Sequence, residues 1–314
     1  MKLRLKDVHI GMYGAVMGLA GLGLSARAAA PVLPGTIRAP AYFTEPWVLL
    51  GALALAVLLP LYVLKLIRYP ADVRNDFTNP ALLGFCGALP VGMFLVAGGL
   101  APYFFPIANF LWWAGFVLLS AFQVWALSRW LSGSIELAQV NAGWLIVLVG
   151  GIVAPGPGLA LGHEEASRFI FGVSAAAAPL LMALLFYRAV LGAPLPEPLR
   201  PSWFILLVPP ALVYANGMLL FPGSVFLENL FFASLLLAVS LLLVSRKFLR
   251  WQFGAPWWAF TFPLDALAYA AARYAQDHPS TLWRGVCAAT LALATAFVLI
   301  VLFRTLRSAA SRRA

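Results

Sequence analysis

Asp265 is the residue best placed to do chemistry in this chain, because it falls near the middle of an apolar stretch, 256–275, where a carboxylate has little water to solvate it. Three readings are open for it. It is held as the neutral acid, it pairs with a base such as Arg273 two helical turns on, or it points away from any internal path. Phe262 precedes it by three residues, so the two should share a helical face; Phe260 lies two positions earlier. Other polar groups point to less. His163, Glu164 and Glu165 combine an imidazole with two carboxylates, but they fall between apolar stretches and read as a solvated turn. His9 and His278 lie near segment ends without partners at metal-ligand spacing, and Cys86 and Cys287 sit in apolar runs with no CxxC pair. Gln123, Asn141 and Asn216 read as groups that line a path or bridge helices. No nucleophile stands beside a base, and no phosphate-binding loop, metal motif or cofactor motif occurs, so neither catalysis nor a cofactor is expected.

The elements that must position these residues are set by composition. Of 314 residues 63% are hydrophobic and 10% charged, with mean hydropathy +0.91, far more apolar than a soluble core requires. A chain in lipid must satisfy its own backbone hydrogen bonds, so long apolar runs should cross as helices; the short alternating stretches of a β-barrel are missing. Ten segments can be marked, at 8–27, 45–67, 81–100, 106–129, 142–160, 166–190, 202–221, 225–245, 256–275 and 282–303, forming one transmembrane domain over 1–314.

The net charge of +10 does not point to nucleic acid, because the basic residues cluster at segment ends. Sixteen of the 21, from Lys2 and Arg4 through Lys65 to Arg312 and Arg313, fall on one side of the ten-segment arrangement; Arg27, Arg38, Arg168, Arg273 and Arg284 fall on the other. That asymmetry predicts a multi-pass protein of the plasma (inner) membrane with both termini cytoplasmic. The first segment imitates a secretory leader with small residues at 28–30, but Asp7 and His9 interrupt the pattern and the run is long enough to span.

The odd-numbered segments carry residues that disturb helices. Gly11, Gly14, Gly18 and Gly21 stripe the first, and Pro90, then Pro155 and Pro157, then Pro209 and Pro210, then Pro263 mark the others. Among the even segments only Pro60 and Pro179 are comparable, and this alternation of a disturbed helix with a smoother one, five times over, predicts hairpins with the disturbed helices around an internal path. Half-helix N-termini on that path would offer unpaired N–H groups to an anion.

Three motifs resemble the TehA-like tellurite-resistance and dicarboxylate transporter family, which includes the plant slow anion channels: Trp257-Trp258-Ala259-Phe260-Thr261-Phe262-Pro263-Leu264, Leu207-Val208-Pro209-Pro210 and Gly18-Leu19-Ala20-Gly21-Leu22. The resemblance implies an all-α fold of ten transmembrane helices, as five hairpins in quasi-fivefold order around a central pore, assembled as a homotrimer in the bilayer. It implies small inorganic or organic anions as the permeating species and a phenylalanine of the ninth helix as the plug, Phe262 or else Phe260. Gly14, Gly18, Pro90, Pro155, Pro210 and Pro263 become pore-lining or kink residues, and Asp265 a candidate proton-linked group. The rival functions are a proton-coupled carrier or exporter of dicarboxylate, sulfite or tellurium oxyanions, an exporter built from two repeats of five helices, and a membrane-embedded enzyme acting on lipid.

Overall fold

The structure is a computed structural model that describes residues 5–33, 40–133 and 135–311; Lys2, Arg4, Arg38, Arg312 and Arg313, used in the charge count, lie outside the described residues. Each of the ten apolar segments is helical, and no strand occurs among the described residues. Among the described residues six helices are long and apolar enough to cross a membrane: Phe43–Arg68, Phe105–Leu131, Glu164–Leu191, Glu197–Leu220, Val225–Val244 and Thr281–Ala310. The protein is therefore a multi-pass membrane protein.

Two kinds of helix divide the chain. The long ones, α2 (Pro40–Arg68), α6 (Phe105–Leu131), α9 (Glu164–Leu191), α11 (Val225–Val244) and α13 (Thr281–Ser311), bury a single stripe. In α6 that stripe is Ala108, Trp112, Gly115, Leu119, Gln123 and Ala126, in steps of three or four that match the helical period. The rest of their surface is apolar and exposed, as with Val57, Phe110, Leu180, Leu236 and Phe303, which suits contact with lipid chains.

The shorter helices α1 (Gly14–Ala29), α5 (Ala88–Leu100), α7 (Trp144–Val149) with α8 (Pro155–Ala160), α10 (Val208–Leu220) and α12 (Thr261–Asp277) are buried on nearly every side. Each packs against the long helix that follows it: α1 on α2, α5 on α6, α7 and α8 on α9, α10 on α11, and α12 on α13. They also pack on one another in a closed order: α1 on α5, α5 on α8, α8 on α10, α10 on α12, and α12 back on α1.

A further element lies in the connection after the second segment. Pro70–Thr78 forms α3, started by Pro70 in its first turn, where the missing N–H has no partner to lose, with Asp72 beside the helix N-terminus. α4 (Pro80–Leu83) is a single turn leading into the third segment.

Candidate functional site

Proline occupies the third position of four inner helices: Pro90 in α5, Pro157 in α8, Pro210 in α10 and Pro263 in α12. Each of these helices is entered through 3₁₀ turns, at Gly84–Gly87, Gly150–Val153, Glu197–Leu207 and Ala255–Phe260, and α1 is entered likewise through Ile10–Tyr13. The cause is local. In the four helices that carry it, proline has no N–H to give and its ring crowds the carbonyl four residues back, so the preceding turn tightens to i−3 bonding; α1 has the same 3₁₀ entry without a proline. At the junctions Gly14, Ala88, Ala154, Val208 and Thr261 donate N–H bonds to the carbonyls of Gly11, Phe85, Gly151, Ile205 and Trp258. These junction amides are paired, which corrects the expectation of free N–H groups there. The segments are tightened, not interrupted.

Two cavities run along these segments. The first, about 400 Å³, is lined by the N-terminal parts of all five, from His9 and Gly14 to Val91, Val149, Pro209 and Pro263. The second, about 280 Å³, is lined by their C-terminal parts, from Gly21 and Arg27 to Leu95, Pro157, Asn216 and Asp265. The five inner segments thus run in the same direction, with an N-terminal chamber at one end and a C-terminal chamber at the other. Among the described residues only Val153 and Phe262 line both.

Phe262 is 6% exposed and its ring lies beside Gly21, where an added Cβ would come within 3.1 Å of the ring. Phe260 lines neither chamber. It is fully buried in an aromatic cluster, with its ring centroid 4.8 Å from Phe204 and 5.5 Å from both Phe248 and Phe297. The glycine stripe of α1 is the surface that meets α12 and its 3₁₀ entry: a Cβ on Gly14 would press on Trp258 and one on Gly18 would overlap the Thr261 hydroxyl. Gly14 and Pro263 also line the N-terminal chamber, whereas Gly18, Pro90, Pro155 and Pro210 are buried between helices and line neither.

Asp265 is 1% exposed, lines the C-terminal chamber and, among the described residues, has no hydrogen-bond partner on either carboxylate oxygen. Pairing with Arg273 does not occur: Arg273 Nη1 donates to Gln276 Oε1 at 3.1 Å, and Gln276 in turn donates to the Ala28 carbonyl. The backbone carbonyl of Asp265 accepts from Ser25 Oγ at 2.7 Å, which ties α12 to α1. Arg27, at the same chamber, is committed to Glu45 at 2.9 Å and to the carbonyls of Gly98 and Gly99. Asn216 donates to the Ile152 carbonyl at 2.8 Å and leaves its Oδ1 unpaired on the chamber wall. The N-terminal chamber is almost wholly apolar, with His9 the one ionisable group on its wall among the described residues.

Of the other polar residues, Gln123 bridges helices and Asn141 bonds within its own turn. Gln123 donates to the Leu148 carbonyl and to Ser174 Oγ, both at 3.0 Å, and Asn141 accepts from the Gly143 amide. His163 is more than part of a solvated turn: its Nε2 is 2.6 Å from Asn109 Oδ1 and its ring lies 4.8 Å from Trp112 and 5.0 Å from Trp113. Burial lowers its pKa below the usual imidazole range. Glu164 pairs with Arg168 one turn on. Among the described residues no cluster could hold a metal ion. Sequence reasoning missed Val153, which carries no signal beyond being apolar, and a buried pair of Lys65 and Asp76, which stand eleven residues apart with Lys65 inside the second apolar segment and Asp76 beyond its end.

Comparison with known proteins bears on the whole chain. The profile of the family described as SLAC1, voltage-dependent anion channel, matches residues 7–306. The S-type anion channel SLAH3 of Arabidopsis thaliana is 26% identical over 95% of this chain and 48% of its own length. The guard cell S-type anion channel SLAC1 of the same plant is 26% identical over 78% of this chain and 45% of its own. This chain thus spans about half the length of those plant relatives. An uncharacterized transporter of Methanocaldococcus jannaschii is 27% identical over 84% of each chain. With nearly every described helix inside the matched region, the chain belongs to the SLAC1 family of anion channels and transporters.

Proposed function

We propose that this protein passes small anions across the plasma (inner) membrane through the two chambers, and that the ring of Phe262 is the closed gate between them. One observation carries the reading: cavities lined by all five inner segments meet at Phe262 and Val153. A benzyl ring suits a gate because it excludes water from a narrow section and can swing on a rotamer change without breaking a hydrogen bond. The apolar N-terminal chamber has no cationic ring to hold an anion tightly, which favours fast, size-based passage.

On this reading all ten segments cross the bilayer as five hairpins in quasi-fivefold order. The length supports it: Gly84–Leu100 combines four 3₁₀ residues with 13 α-helical ones. At about 2.0 and 1.5 Å per residue these reach about 28 Å, close to the hydrocarbon thickness. Cytoplasmic termini follow from the charge asymmetry, and homotrimeric assembly rests on the family resemblance alone.

Reconstitution in planar bilayers tests the gate. Phe262→Ala should raise chloride current at least tenfold over the unsubstituted protein; an unchanged current from a folded variant would remove Phe262 from the role. A second reading, a proton-coupled carrier of dicarboxylate, sulfite or tellurium oxyanions, is favoured by the unpartnered acid at 265.

A further inference from the structure

We infer that Asp265 sets the anion permeability of the C-terminal chamber through its own proton: as a neutral acid it admits an anion, and as a carboxylate it excludes one. This rests on the reading of the chambers as the anion route.

The geometry gives the side chain no other occupation. Asp265 lines the chamber, its side chain is 1% exposed, and neither carboxylate oxygen has a partner among the described residues. A buried carboxylate with neither cation nor donor is costly, while the neutral acid keeps an O–H donor. Asn216 Oδ1, an unpaired acceptor on the same wall, complements a donor and not a second acceptor.

The charged and titratable neighbours leave control to Asp265. On α1, Arg27 lines the chamber but is bound to Glu45 and two carbonyls. On α12 itself, Tyr269 lines the chamber and Arg273 bonds Gln276. Neither α5, α8 nor α10 contributes a titratable side chain to the lining, and neither do the 3₁₀ turns before α10 and α12. From α11, Glu228 pairs with His278 at the far end of α12, and from α13, Cys287 packs in a separate apolar cluster.

Asp265 also stands next to the proposed gate. A Cβ on Gly21 would come within 3.0 Å of Asp265 Oδ2 and 3.1 Å of the Phe262 ring, so acid and ring flank one small site on α1. An anion passing Phe262 must then pass the carboxyl. Two like charges about 5 Å apart at an effective dielectric of about 20 repel enough to slow passage by about two orders of magnitude.

The test uses chloride as the probe and Phe262→Ala as an open background, in planar bilayers, with pH raised only on the side of the C-terminal chamber. Current through Phe262→Ala should fall at least tenfold between about pH 5 and pH 9. The double variant Phe262→Ala/Asp265→Asn should hold a constant current, and Asp265→Ser in the same background serves if the asparagine variant does not fold. A parallel fall in both variants, or no fall in Phe262→Ala, overturns the assignment of Asp265. Absence of chloride current above protein-free bilayers in every variant defeats the anion-route reading itself, and this inference with it.

Discussion

Substitution of Asp76 by alanine should be among the most destabilising single changes in the molecule. Asp76, on α3, accepts from Lys65 Nζ at 3.2 Å and from the Tyr62 hydroxyl at 2.9 Å, both donors lying on α2. Lys65 also donates to the Val8 carbonyl at 2.8 Å, which anchors the chain just before His9 on the wall of the N-terminal chamber. The two charged side chains are each only 4% exposed. Removing the carboxylate leaves an ammonium group buried beside a lone carbonyl, and breaking a buried pair in this way costs about 3–5 kcal/mol, or two to four orders of magnitude in the unfolding equilibrium. The Tyr62 hydroxyl loses its partner as well, at about 1–3 kcal/mol if it stays dry. Equilibrium unfolding in lipid–detergent micelles, followed by tryptophan fluorescence, should rank the variants. Asp76→Ala should be least stable, and Lys65→Met/Asp76→Leu should recover most of the loss because no lone charge remains. Adding Tyr62→Phe should recover the rest. An Asp76→Ala protein within about 1 kcal/mol of the unsubstituted one would refute the argument, as would a double variant no better than the single.

Two further outcomes separate neighbouring roles. Phe260→Leu should cost about 1–3 kcal/mol of stability through its cavity among Phe204, Phe248 and Phe297, while single-channel chloride conductance stays that of the unsubstituted protein; a rise to the level of Phe262→Ala would move the gate to Phe260. His163 is held below its ordinary pKa of 6.5 by burial, so its neutral form is favoured in the folded state. Its contribution is present above pH 6.5 and is lost as pH falls toward the lowered value, so the midpoint of thermal unfolding should drop on acidification, and less so in His163→Gln.

Much of the architecture could be read from the amino acids alone, because it follows from local chemistry. Apolar runs of about 20 residues are helical wherever lipid is the solvent, and proline is confined to the first turn of a helix or to a tightened or bent segment. The ten segments and the recurrent proline of the inner helices are therefore visible in the one-dimensional pattern. So is the pairing of Phe262 with Asp265 on one face. What the period of a helix cannot state is which face meets which neighbour. Phe260 and Phe262 are both large, apolar and buried, and two positions along a helix turn the side chain through about 200°, so one ring enters an aromatic cluster while the other stands between two cavities. Asp265 and Arg273 looked like partners along one helix, yet Gln276 takes the guanidinium and leaves the acid alone. Lys65 counts in the sequence only among the basic residues at segment ends, and Asp76 carries no signal of its own, yet α3 packs back on α2 and buries the two together. In each case the decision belonged to helices distant in sequence, whose approach sets which polar atoms find a partner and which are left facing an open space.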